Sequence, residues 1–196
     1  MRQLKVLGLF IVLSLILAAC GGEKIETNMS EDVIDFEFTT QDNEKLSLDD
    51  LKGKYWIADF VFTNCTTVCL PMTTNMSELQ DMMEEEGLNE HVELVSFSVD
   101  PDRDTPEALK DYAESYDADL KNWTFLTGYD FETIKELSIK SFKSLLAAPP
   151  EGDDQVTHGT RFYLVNPEGE VIKNYNGVES ANLHTLMDDL KKLDLE

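Results

Sequence analysis

"YWIADFVFTNCTTVCLPM", Tyr55 to Met72, decides how the chain is read. Its opening run, Tyr55 to Phe62, is almost continuously apolar, the pattern of a strand covered on both faces. After it, Met72, Met76, Leu79 and Met83 recur at helical spacing until Gly87, which supplies a C-terminal stop. A buried strand that feeds directly into a helix belongs to an α/β fold, and Cys65 and Cys69 stand at the junction. The Cys-x-x-x-Cys spacing alone leaves four readings open: structural disulfide, redox couple, peroxidatic centre or metal clip.

The same alternation of elements continues on both sides. Ile34 to Leu51 alternates apolar and polar residues around the turn "QDNE", as a hairpin does. Val92 to Val99 is a second buried strand. Thr105 as N-cap and Pro106 at the first helical position open a helix. "WTFLTG" is a short strand, and Phe131 to Leu146 a helix with Ile134, Leu137 and Phe142 facing inward. "RFYLVNPEGEVIKNY" is a hairpin around Asn166-Pro167-Glu168-Gly169, and Ser180 to Leu193 closes the chain as a helix with Leu183, Leu186 and Leu190 on one side. The order predicts a thioredoxin-like α/β fold: a central mixed sheet flanked by helices, with an added N-terminal hairpin.

The N-terminus carries an address. Arg2 and Lys5 precede a short apolar run, Val6 to Leu17, and then "LAAC" and Gly21-Gly22. The run is shorter than the roughly 20 apolar residues of a bilayer-spanning helix, and its flanks are those of a secretory signal. The pattern resembles a bacterial lipobox, with residues 1–19 as the signal peptide and Cys20 as the lipidated N-terminus. Residues 20–32 then form a tether, and residues 33–196 one domain. Loss of Arg2 and Lys5 takes the formal charge from -23 to -25. Such an acidic surface repels nucleic acid and anionic headgroups and favours basic or metal-bearing partners. These features place the domain, as a monomer, at the outer face of the cytoplasmic membrane.

With Cys20 set aside, one pair remains in an exported protein, where oxidation is possible. The carboxyl ends of strands are where α/β sheets collect ligands, and a helix N-terminus lowers thiol pKa values. Residues four apart on a helical turn can turn both sulfurs to one ligand. Neighbouring thiolates favour a soft cation. His158, at the end of a polar loop and just before the strand Arg161 to Val165, is the natural third ligand. Two thiolates and an imidazole suit Cu(I), or Cu(II) with an added oxygen, at one ion per chain. A structural zinc site would want a fourth protein ligand, and none is evident. His91 and His184 read as surface residues, Met72, Met76, Met82 and Met83 as core, and Glu84-Glu85-Glu86 as a solvated helix face.

In this order the motifs resemble the Sco/SenC family of copper-binding assembly factors for cytochrome c oxidase. They are the cysteine pair followed by a proline and "MT", "SVDPDRDTP" from Ser98 to Pro106, and His158 before "FYLVNPEGE". The resemblance implies that Cys65 and Cys69 are thiolate ligands and His158 the imidazole ligand. It implies that Asp100 and Asp104 take part in copper handling or partner docking; Asp104 could equally cap the following helix or pair with Arg103. The expected partner is cytochrome c oxidase subunit II, served by an unidentified copper donor and thiol reductant. Copper is delivered to its binuclear site, or the site's cysteines are reduced, and neither use requires a turnover enzyme. One departure is Leu70, which stands where the family has a proline directly after the second cysteine.

Two rivals follow from the same residues. A thiol–disulfide oxidoreductase would need no metal. A thiol peroxidase would use "TTVC", but the proline that its signature wants four positions before the threonine is Phe62 here.

Overall fold

The computed structural model describes residues 25–193 and 195. The signal peptide and Cys20 lie outside the described residues. Eight strands form one sheet, in the order β1 (Glu31–Asp32), β10 (Glu170–Asn176), β9 (Arg161–Val165), β4 (Tyr55–Val61), β5 (Val92–Ser98), β6 (Trp123–Thr127), β2 (Glu37–Thr40) and β3 (Lys45–Ser47). The central β4, β5 and β6 run parallel; β9 joins β4 and β2 joins β6 antiparallel, and β10 pairs antiparallel with β9. The helices are α1 (Leu48–Leu51), α2 (Cys69–Glu85), α3 (Pro106–Ser115), α4 (Phe131–Phe142) and α5 (Ala181–Leu190). This is a thioredoxin-like fold, and β2 with β3 is the added hairpin.

Burial on both faces follows from the alternation within β4. Trp56, Ala58, Phe60 and Phe62 enter one core with Phe36, Phe38, Phe97 and the α4 residues Ile134, Leu137 and Phe142. Ile57 and Val61 enter the other, beneath Met72, Met76, Leu79 and Met83 of α2 and Leu183, Leu186 and Leu190 of α5. Those three methionines are fully buried, which makes them packing residues. Each such side chain contributes roughly 1.5–3 kcal/mol by leaving water. Helix α3 starts as its sequence demands, with Thr105 accepting from the Ala108 N–H and Pro106 in the first turn.

Two boundaries differ from expectation, and one of them builds the site. Helix α4 ends at Phe142, because Lys143 turns into the left-handed region at φ 49° and the Ser138 hydroxyl bonds the Ser144 carbonyl. Leu146 therefore leaves the helix and forms β7 (Leu146–Ala147), which pairs with β8 (Thr157–His158). At the other end, the stretch read as tether through Asp32 is docked from Asn28 onward. Backbone N–H groups of Asn28 and Met29 donate to the Ile172 carbonyl, and Glu31–Asp32 pairs with β10. Its polar composition misled the reading, since an edge strand can be held by backbone hydrogen bonds without burying much apolar surface.

Candidate metal centre

Strand β4 ends at Val61, and the turn from Phe62 to Val68 delivers the chain into α2 with Cys69 as its first residue. No side chain oxygen caps this helix. Cys65 Sγ does so instead, accepting the Cys69 N–H at 3.3 Å. The sulfur thus takes one of the N–H groups that every helix start leaves unpaired, at the positive end of the helix dipole.

His158 arrives from the opposite side on β8, paired with Leu146. Its Nδ1 lies 2.9 Å from the Gly159 carbonyl oxygen, which can only accept, so Nδ1 carries the proton. Nε2 is left with its lone pair and lies 3.2 Å from Cys69 Sγ. Phe62 packs edge-on against the imidazole at 5.8 Å between centroids. A Cβ at Gly159 would come within 2.2 Å of Ser144 Oγ, so glycine suits this close approach to the end of α4.

Cys65 Sγ, Cys69 Sγ and His158 Nε2 or Nδ1 all lie within 4.8 Å of one another, and they are the one group of this kind among the described residues. All three residues are buried, and both thiols are free. Hydrogen bonding from the Cys69 thiol holds the Cys65 thiol far below its ordinary pKa, helped by the backbone N–H groups of Thr67 and Cys69. Cys69 moves the opposite way, because it donates to Cys65 and is more deeply buried. The pair therefore holds one proton at neutral pH, on Cys69. Two soft sulfurs and an imidazole nitrogen with a fixed tautomer form a donor set for a soft, low-coordinate ion.

A family model described as SCO1/SenC matches residues 26–193. The chain belongs to the SCO1/SenC family. A SCO1 protein homolog of Bacillus subtilis (strain 168) is 46% identical over 177 residues, covering 90% of each chain. Among solved structures, a SCO1/SenC family lipoprotein from Bacillus anthracis str. Ames is 48% identical, with TM-score 0.78 over 83% of this chain and 95% of that one. BsSco, described as a member of the Sco family of cytochrome c oxidase assembly proteins in which a disulfide switch was identified, is 45% identical with TM-score 0.78, over 87% and 97%. Bradyrhizobium japonicum ScoI with copper bound is 26% identical with TM-score 0.69, over 82% and 98%.

The two aspartates of this SCO1/SenC chain sit apart from the trio. Asp104 is fully buried and does not cap α3, which Thr105 does. Its carboxylate accepts from Thr63 Oγ1 and Ser98 Oγ, each at 2.6 Å, and from the Thr63 N–H at 3.3 Å. It thereby ties the end of β5 to the start of the cysteine turn. Burial raises its pKa against those hydrogen bonds. Asp100 is partly exposed and faces Arg103 Nε at 3.6 Å. Arg103 pairs with Asp100 and Asp154, not with Asp104. His91 and His184 are exposed, as are Glu84, Glu85 and Glu86. Leu70 stands half-exposed beside Cys69 at the rim.

Sequence reasoning missed two groups that bear on the site. Asp59 is a carboxyl fully buried in β4, opposite Ser96 of β5. Its signal was visible, as the one acidic residue inside the apolar run "YWIADFVF". Asn64, Asp154 and Gln155 connect the cysteine turn to the His158 hairpin. Nothing in their local sequence distinguishes them from ordinary loop residues.

Proposed function

We propose that this protein is a copper-binding assembly factor for cytochrome c oxidase, in which Cys65, Cys69 and His158 hold one copper ion. The observation that carries this reading is the convergence of two buried thiols and an imidazole Nε2 freed by its Nδ1 hydrogen bond. Family membership supports it, as do the copper-bound relative and the relative described as an oxidase assembly protein. The ion is cargo: it is handed to the binuclear copper site of subunit II, and an unidentified donor replaces it. Cys20 carries the lipid that holds residues 33–196 at the outer face of the cytoplasmic membrane, a placement in keeping with the lipoprotein relative. No described helix is long and apolar enough to cross a membrane. Asp100 and Asp104 contribute as a docking group and a supporting group.

A second use of the same pair is favoured by the thiolate character of Cys65. Cys65 attacks a disulfide in the copper-free target and forms a mixed disulfide. Cys69 then gives its proton to the departing target thiolate and closes on Cys65. The target leaves as a dithiol once its second thiolate takes a proton from water, and Cys65–Cys69 becomes the disulfide, so two electrons pass from one pair to the other. Oxidised in this way, the chain has no thiolate for copper until an outside reductant restores it.

The test is copper titration of the reduced protein beside Cys65→Ser and His158→Ala, followed by oxidase assembly in cells. One tight copper per chain, with thiolate-to-copper absorption for Cu(II), is expected for the parent, and its loss or strong alteration in both variants. Unchanged copper binding in His158→Ala removes the third ligand. Oxidase assembly that survives this variant while failing in Cys65→Ser favours thiol exchange over delivery.

A further inference from the structure

Three hydrogen bonds place a single amide across Cys65. Gln155 Oε1 accepts the Thr66 N–H and the Thr66 hydroxyl, each at 3.1 Å, and Gln155 Nε2 donates to the Asn64 carbonyl at 3.0 Å. Asn64 and Thr66 are the two neighbours of Cys65, so the side chain grips the backbone on both sides of the ligand. Gln155 itself lies three residues before His158, on the loop that leads into β8. Among the described residues it makes three of the five hydrogen bonds between residues 64–69 and this hairpin. The other two are Asn64 Nδ2 to Asp154 Oδ2 at 2.9 Å and the Cys69–His158 contact itself.

The clip is in turn held from outside. Asp153 Oδ1 accepts the N–H groups of Asp154 and Gln155, fixing the turn that presents them. Asp154 Oδ1 accepts from Gln155 Nε2 at 2.9 Å, and Asp154 Oδ2 takes Arg103 Nη1 at 3.1 Å. The amide's acceptor therefore faces two donors and its donor faces two acceptors. A carboxylate in the same place would set a negative charge against the Asn64 carbonyl and the Asp154 carboxylate.

We infer that Gln155 is a positioning residue of the copper site, fixing Cys65 relative to His158 so that the donors from the two loops close on the ion together. This rests on the copper reading above. Residues that orient metal ligands without touching the metal change affinity by roughly 10–100-fold when removed. Gln155 acts on Cys65 through the backbone, and its consequence is spatial only if His158 is also a ligand.

The experiment is a double-mutant cycle in the full-length reduced protein: parent, Gln155→Ala, His158→Ala and the double variant. Cu(I) affinity is read by competition, the Cu(II) charge-transfer spectrum by absorption, and thermal unfolding of each metal-free protein alongside. Gln155→Ala is expected to lose about tenfold in copper affinity and to shift the charge-transfer band. In the His158→Ala background the same change should cost little more, because there is no third ligand left to align. Gln155→Glu, which keeps the size, should weaken binding at least as much, and this keeps the test open should the alanine variant fold poorly. Parental affinity and spectrum in Gln155→Ala or Gln155→Glu overturn the inference while leaving the copper site intact. So does an equal, additive loss in both backgrounds that tracks the unfolding midpoint, since that describes loop stability alone. Parental copper binding in His158→Ala instead removes His158 from the ligand set of the copper reading, whereas loss of binding there with parental binding in the Gln155 variants fails the inference alone, and the two failures are thereby distinct.

Discussion

Cys69 Sγ and His158 Nε2, 89 positions apart in the chain, lie 3.2 Å from each other. The Gly159 carbonyl holds the other imidazole nitrogen protonated, so Nε2 keeps its lone pair for an ion, while the Cys69 thiol keeps the one proton that it donates to Cys65. An ion bound by both must displace this proton. Cys65 has none to give at neutral pH, its thiol being held far down by the Cys69 hydrogen bond. Cu(I) loading at pH 7 is therefore expected to release about one proton per ion, where two ordinary thiols would release nearly two. Calorimetry in buffers of different ionisation enthalpy measures the number. Release of two protons would show that Cys65 is a thiol in the apo protein.

The same asymmetry predicts which cysteine reacts. Cys65 is 9% exposed and thiolate-like, whereas Cys69 is 1% exposed and keeps its proton. A small alkylating reagent should therefore modify Cys65 first, and should still do so at pH 6, where an unperturbed thiol with pKa about 8.5 is almost fully protonated. Peptide mass spectrometry after brief labelling separates the two. Preferential labelling of Cys69 would contradict the assignment.

Much of this arrangement was legible in the sequence, for physical reasons that differ between residues. The apolar run ending in Cys65-x-x-x-Cys69 located the strand–helix junction, because a doubly covered strand leaves no other reading for it. His158 could be joined to that junction only through topology, since no local pattern links residues so far apart. The end of α4 escaped notice because Lys143 adopts a left-handed turn that its side chain does not advertise. The docking of Asn28 to Asp32 escaped for the opposite reason, as backbone hydrogen bonds leave no mark on hydrophobic periodicity. Gln155 was invisible because its partners, Asn64 and Thr66, lie about ninety positions away.

Asp100 and Asp104 should separate sharply on mutation. Asp104 is buried and accepts from Thr63 and Ser98, so Asp104→Ala leaves those donors unmatched and is expected to cost about 2–4 kcal/mol. Asp104→Asn retains an acceptor and should cost less. Asp100→Ala removes a contact to a largely solvated Arg103 and should stay within about 1 kcal/mol. Urea unfolding of the metal-free proteins gives all three values. Equal effects of the two alanine variants would contradict the role of Asp104 as the anchor of the cysteine turn.

Asp59 makes stability depend on pH in a direction opposite to that of a paired carboxylate. Burial in β4 raises its pKa from 3.8 to about 7, with the Ser96 hydroxyl opposing the rise only in part. In the unfolded chain the proton leaves near pH 4, while in the folded chain it stays until about pH 7. Between those values the folded state binds more protons, so raising the pH removes stability; above about pH 7 both states are ionised and the penalty levels off. The full penalty is on the order of 4 kcal/mol, since each tenfold change in proton affinity is worth about 1.4 kcal/mol. Asp59→Asn has no proton to lose, so its stability relative to the parent should improve by roughly 2–3 kcal/mol between pH 5 and pH 8. Urea unfolding of parent and variant at both pH values gives this difference directly, and the common titrations of all other groups cancel in it. A pH-independent difference would show that Asp59 is ionised throughout, and that its charge is compensated inside the fold.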